Sequence, residues 1–87
     1  RNKILIKMMN ENQLKKIISS ATKIPVSKIN DKLSSINNEK WDSLAQLYIL
    51  SMLDKTTKGK TAKIKGLNEI LSYKKLLSTL KLKKIIK

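Results

Sequence analysis

Apolar residues recur at Leu14, Ile17, Ile18 and Ala21, and again at Tyr73, Leu76, Leu77 and Leu80. Each set has the i, i+3, i+4, i+7 spacing of a single helix face. Between them, Leu44 to Leu53 is apolar on more than one face, the pattern of a helix placed centrally among others. No alternating run longer than Ile4–Ile6 competes with these segments. A chain patterned this way folds as helices packed on helices.

Local signals divide the chain further. Asn10, with Gln13 three residues on, forms a capping-box pattern at the start of the first helix. Pro25 biases Ile24 away from helical angles and closes that helix. A long connection then runs from Val26 to about Lys40. Val26, Ile29, Leu33 and Ile36 are its apolar anchors among serines, asparagines and lysines, which predicts an ordered loop with a helical turn near Ser27–Asn30. The second helix is expected from Ser43 to Asp54, with Leu47, Ile49, Leu50 and Leu53 as core. A lysine-rich connection from Lys55 to Lys65 precedes a short helical turn at Gly66–Leu71. Ser72 caps the last helix. Leu82, Ile85 and Ile86 fall out of phase, so residues 81–87 read as a frayed basic tail. Residues 1–8 read as a leader or disordered segment, with Met8 or Met9 a candidate start, and residues 9–80 as the domain.

Composition narrows the function. With 87 residues the chain makes one domain at most, with a modest core. It has no cysteine and no histidine. That removes disulfides, thiolate metal sites, the commonest general base and every Ser-His-Asp or Cys-His arrangement. The six acids are scattered, so a self-contained enzyme is not expected. No apolar stretch is long enough to span a membrane, and the opening residues have too short an apolar centre for a secretory signal. A cytoplasmic, monomeric protein is the expectation.

The net charge of +14 points toward polyanions. Residues 56–87 hold ten lysines against Glu69, while residues 1–55 hold ten basic residues and five acids. This is the basis of the rival class, a small basic helical module that binds nucleic acid non-specifically. Against it, aromatic residues are 3% of the chain and arginine occurs once, so neither base stacking nor guanine reading is provided for.

The second helix opens on Trp41-Asp42-Ser43-Leu44. This stretch resembles the Asp-Ser-Leu signature of acyl carrier proteins, and the order of helix, long loop, serine-opened helix, short third helix and last helix is similar to their fold. The likeness covers about residues 9–80. It implies an all-α fold, a small four-helix bundle of acyl-carrier type with a long first loop and a short third helix. It implies that Ser43 bears a covalent 4′-phosphopantetheine arm holding acyl groups as thioesters, with Asp42 and Leu44 as motif flanks. The implied partners are a phosphopantetheinyl transferase and acyl-transferring or acyl-activating enzymes; no specific nucleic acid and no metal are expected. Leu47, Ile49, Leu50 and Leu53 match positions that line an acyl-sheltering cavity in such proteins.

Physical chemistry favours this placement, because unpaired N–H groups and the positive end of the helix dipole favour an anion at a helix start. The plain alternative is that Ser43 or Asp42 is an ordinary helix cap. Trp41 is expected to anchor the end of the long loop. The chain departs from typical acyl carriers in charge: Ala45, Tyr48, Ser51, Lys55 and Thr56 are the positions expected to be exposed after the motif, with Asp54 the acid in that helix. That departure points away from the partners of housekeeping fatty acid synthesis. Trp41-Asp42-Ser43-Leu44-Ala45 resembles stand-alone carriers, which implies a specialised lipid or surface-polysaccharide pathway.

Overall fold

The computed structural model describes residues 9–86. The leader assigned to residues 1–8, the Ile4–Ile6 alternation and Lys87 lie outside the described residues. The described chain is helical, with α1 at Glu11–Thr22, α2 at Ser43–Thr56 and α3 at Tyr73–Leu82. Single 3₁₀ turns lie at Val26–Lys28, Thr61–Lys63 and Leu67–Glu69. Two isolated β-bridges tie loops together, and no strand forms among the described residues. None of these helices is long and apolar enough to cross a membrane.

All three helix starts are those the sequence marks. The Asn10 side chain accepts from Gln13 N at 2.8 Å while Gln13 Oε1 accepts from Asn10 N at 2.9 Å, a reciprocal capping box. Asp42 caps α2 and Ser72 caps α3 through their side-chain oxygens. α1 stops at Thr22, before the proline takes effect. Lys23 turns into the left-handed region with φ 67° and its N–H donates to Ser19 O. Thr22 Oγ1 donates to Ile18 O at 2.7 Å and accepts from Ile24 N at 3.2 Å, closing the helix end. α2 runs two residues beyond the expected Asp54, to Thr56, and Gly59 then turns the chain at φ 88° with its N–H on Asp54 O.

The long loop is ordered by its asparagines. Asn30 accepts from Lys32 N, Asn37 from Ser34 N and Asn38 from Lys40 N, so each side chain closes a local turn. Ser35 N donates to Leu71 O and Tyr73 N to Leu33 O, which stitches the loop to the entry of α3. Ile29 and Leu33 are buried as expected, whereas Val26 is exposed and Ile36 is 95% exposed, so neither anchors the loop. The expected turn of helix is present as Val26–Lys28.

The segment expected to be the short third helix differs. The short helical turn expected at 66–71 is a 3₁₀ turn at Leu67–Glu69, and a second, at Thr61–Lys63, lies in the connection before it. Leu67 and Ile70 are both buried and lie three apart, the spacing at which a 3₁₀ turn stacks side chains on one side. The four-helix expectation thus becomes three α-helices with 3₁₀ turns in the third position.

One core joins these pieces. Leu14 and Ile18 of α1, Ile49 and Leu53 of α2, and Leu76 and Leu80 of α3 are fully buried in it, with Ile29, Trp41 and Tyr73. Ala21, Leu50 and Leu77 are half-buried around its edge. Residues 81–86 are not a frayed tail. Lys84 adopts φ 60° after α3, and Ile85 N and Ile86 N both donate to Leu80 O. This reversal buries Ile85 and Ile86 and pairs Ile86 with Met9, whose N–H donates to Ile85 O at 3.1 Å. The break in helical phase at Leu82 is the helix ending and the chain turning back, not loss of order.

Candidate functional site at the start of α2

α2 begins where the long loop is pinned. Trp41 is 1% exposed, and its Nε1–H donates to Gln46 Oε1 at 2.8 Å. Gln46 Nε2 donates in turn to Asn68 O at 3.3 Å and Ile70 O at 3.1 Å. One amide therefore joins the end of the loop, the first turns of α2 and the 3₁₀ turn before α3. Buried polar groups need such partners, and this network satisfies a tryptophan donor and two carbonyls with one side chain. Sequence reasoning missed Gln46 because it sits inside an apolar run as a polar residue without a motif. Its one signal was a glutamine in a segment otherwise expected to be central.

On this platform Asp42, and not Ser43, caps the helix, a choice that sequence alone left open. Asp42 is the cap: its Oδ1 accepts from Ala45 N at 2.8 Å, and its carbonyl accepts the first helical bond from Gln46 N at 2.9 Å. Ser43 is the first residue of α2, is exposed, and takes no part in the capping bond. Its hydroxyl stands in solvent at the end of a helix where the dipole is positive and first-turn N–H groups lack helical partners. Leu44 is 75% exposed, so it belongs to the surface and not to the core. Ala45, expected to be exposed, is buried.

Two open grooves lie along α2, one at its start and one further along it. One, of about 500 Å³, lies between the end of α1 and the start of α2 and is lined by residues that include Ala21, Lys23, Lys40, Asp42, Leu44 and Tyr48. Its lining mixes apolar Ala21, Leu44 and Tyr48 with two lysines and the Asp42 carboxylate. The other, of about 370 Å³, lies between α2 and residues 61–68 and is lined by Leu47, Leu50, Asp54, Ile64 and Leu67 among others. Leu47 is 65% exposed, a correction to its assignment as core. The four positions that resemblance assigned to an acyl cavity thus separate: Leu47 and Leu50 line an open groove, while Ile49 and Leu53 fill the core.

Chemistry elsewhere is limited. Among the described residues no three His, Cys, Asp or Glu side chains gather as metal ligands. The most perturbed pair is Glu11 and Tyr73, whose hydroxyl donates to Glu11 Oε2 at 2.6 Å and ties α3 to α1. That hydrogen bond, with Lys15 and Lys81 nearby, holds the Glu11 carboxyl below its usual value. Burial, then the bond to Glu11, pushes the Tyr73 hydroxyl up.

No protein-family model, curated protein or solved structure matches this chain. The site is thus defined by its own geometry: an all-α domain that projects one uncommitted serine from the start of its central helix.

Proposed function

We propose that this chain is a non-catalytic acyl carrier in which Ser43 bears a 4′-phosphopantetheine arm. The observation that carries the reading is the division of labour at the start of α2. Asp42 alone satisfies the cap, so the neighbouring serine is exposed without serving the helix. The residues fit the group. The Ser43 hydroxyl is the attachment point, the start of α2 favours the phosphodiester charge, and Lys23 and Lys40 add positive charge to the adjoining groove. Attachment replaces the hydroxyl hydrogen with phosphopantetheine from coenzyme A, through a separate transferase, and adenosine bisphosphate leaves. When bound, the arm supplies a thiol that holds an acyl group as a thioester.

Asp42 fixes the helix start, and the Trp41–Gln46 network holds that start against the rest of the domain. Leu44, Leu47 and Tyr48 present apolar surface beside the serine for partner enzymes, and the groove at Leu47 and Leu50 offers an acyl chain partial shelter. The low acid content of α2 fits partners of a specialised lipid or surface-polysaccharide pathway better than those of bulk fatty acid synthesis. In this reading the carrier acts as a cytoplasmic monomer.

The deciding experiment is intact mass after co-expression with a broad-specificity phosphopantetheinyl transferase. One added phosphopantetheine group is expected in the parent and none in Ser43→Ala. Absence of modification with several transferases would sink the proposal. It would leave the rival reading, a basic module whose nucleic-acid binding fades steeply with salt and ignores sequence.

A further inference from the structure

The outward face of α3 carries charge that neither the core nor the Ser43 grooves use. Tyr73, Leu76 and Leu80 point inward and are buried. On the opposite side Lys74, Ser78 and Leu82 form one exposed row at i, i+4 and i+8, flanked by Lys75 and Lys81. The reversal after α3 adds charge at the end of the helix. Burial of Ile85 and Ile86 holds exposed Lys83 and Lys84 at the end of the same helix. No acid follows Glu69 in the sequence. Lys81 lies near enough to Glu11 to lower its carboxyl, which leaves Lys74 and Lys75 on the outward face, with Lys83 and Lys84 at its C-terminal end.

Leu82 decides what kind of anion fits. It is 78% exposed and lies between Lys81 and Lys83 in the sequence. A polyphosphate backbone would meet the lysines but leave this leucine in water. Tyr73, the aromatic residue of α3, is buried, so the face offers no base-stacking group. A bilayer bearing anionic headgroups satisfies both components, with lysines in the headgroup layer and the leucine entering the acyl boundary.

We infer that the outward face of α3, with Leu82 at its C-terminal end, docks reversibly on an anionic lipid bilayer. This goes beyond the carrier reading and is independent of it, since none of these residues lines either groove along α2. Docking by this face would hold the carrier at a membrane while the start of α2 stays composed of other residues.

Co-sedimentation of the full chain with vesicles tests it, using equimolar phosphatidylglycerol and phosphatidylcholine against phosphatidylcholine alone, near physiological salt. Binding is expected to the anionic vesicles only. Each lysine near the surface is worth about fivefold in partitioning, so the combined K74Q, K75Q, K83Q and K84Q variant should lose on the order of several hundredfold. Leu82→Ser should lose about tenfold. A control with equal charge removed elsewhere, K58Q, K60Q, K63Q and K65Q, should retain most of the binding, and circular dichroism confirms that each variant is folded. The inference is overturned if the two charge variants lose equally, if Leu82→Ser binds like the parent, or if the anionic vesicles are not bound. Tighter binding to a single-stranded oligonucleotide under the same conditions, again indifferent to Leu82→Ser, would likewise overturn it in favour of nucleic acid.

Discussion

Replacing Gln46 with alanine tests the least visible part of the architecture. The side-chain amide accepts from Trp41 Nε1–H and donates to the carbonyls of Asn68 and Ile70. In Gln46→Ala the indole donor stays buried without a partner, and two carbonyls lose their donor. A buried group left unsatisfied costs about 1–3 kcal/mol, and truncation adds a small void. The expected loss is about 2–4 kcal/mol, which lowers the Tm of a domain this small by on the order of 10–20 °C. Urea unfolding followed both by circular dichroism and by the fluorescence of Trp41 measures it, since Trp41 is the sole tryptophan. Hydrogen bonding and simple packing are separated by a double-mutant cycle. Trp41→Phe should cost about 1 kcal/mol less in a Gln46→Leu background than in the parent, because the donor has already lost its acceptor. A loss below about 0.5 kcal/mol in Gln46→Ala, the range of an ordinary surface change, would refute the network. Strict additivity in the cycle would refute the indole bond specifically.

Other outcomes follow from burial and charge. Leu80→Ala should cost about 2–5 kcal/mol in urea unfolding, because Leu80 is fully buried. Leu47→Ser should leave stability within about 0.5 kcal/mol, and a large loss there would contradict its exposure. The Glu11 carboxyl is lowered from its ordinary 4.5, so its stabilising contribution is complete above that value and is lost as pH falls through the lower folded value. Tyr73 is raised from its ordinary 10.0, so its contribution is complete below that value and is lost as pH rises beyond it. Tyr73→Phe should therefore flatten both limbs of the urea midpoint against pH, and unchanged limbs would remove the Glu11–Tyr73 bond from the account.

How much was legible follows from the range of each interaction. The capping box at Asn10 and Gln13 and the caps at Asp42 and Ser72 act within three residues, so residue identity and spacing mark them directly. The inward faces of α1 and α3 are equally legible, because each has polar residues opposite its apolar stripe. α2 is not, since a helix apolar on several sides does not say which side the rest of the fold covers. Contacts with α1 and the 3₁₀ turns place Ile49 and Leu53 inside and leave Leu44 and Leu47 in solvent.

The sequence by itself determined a helical domain, three helix starts and a serine motif as a candidate. Tertiary structure alone decided what closes the domain around that serine. Gln46 reaches carbonyls 22 and 24 residues away, and Met9 pairs with Ile86 from the other end of the described chain. Such contacts leave no periodic trace, because one polar side chain or one chain reversal satisfies them wherever the fold brings the partners together. The same holds for the cap itself. Asp42 and Ser43 are both good capping residues, and only the backbone direction at the start of α2 determines which oxygen meets the Ala45 N–H and which is left to solvent.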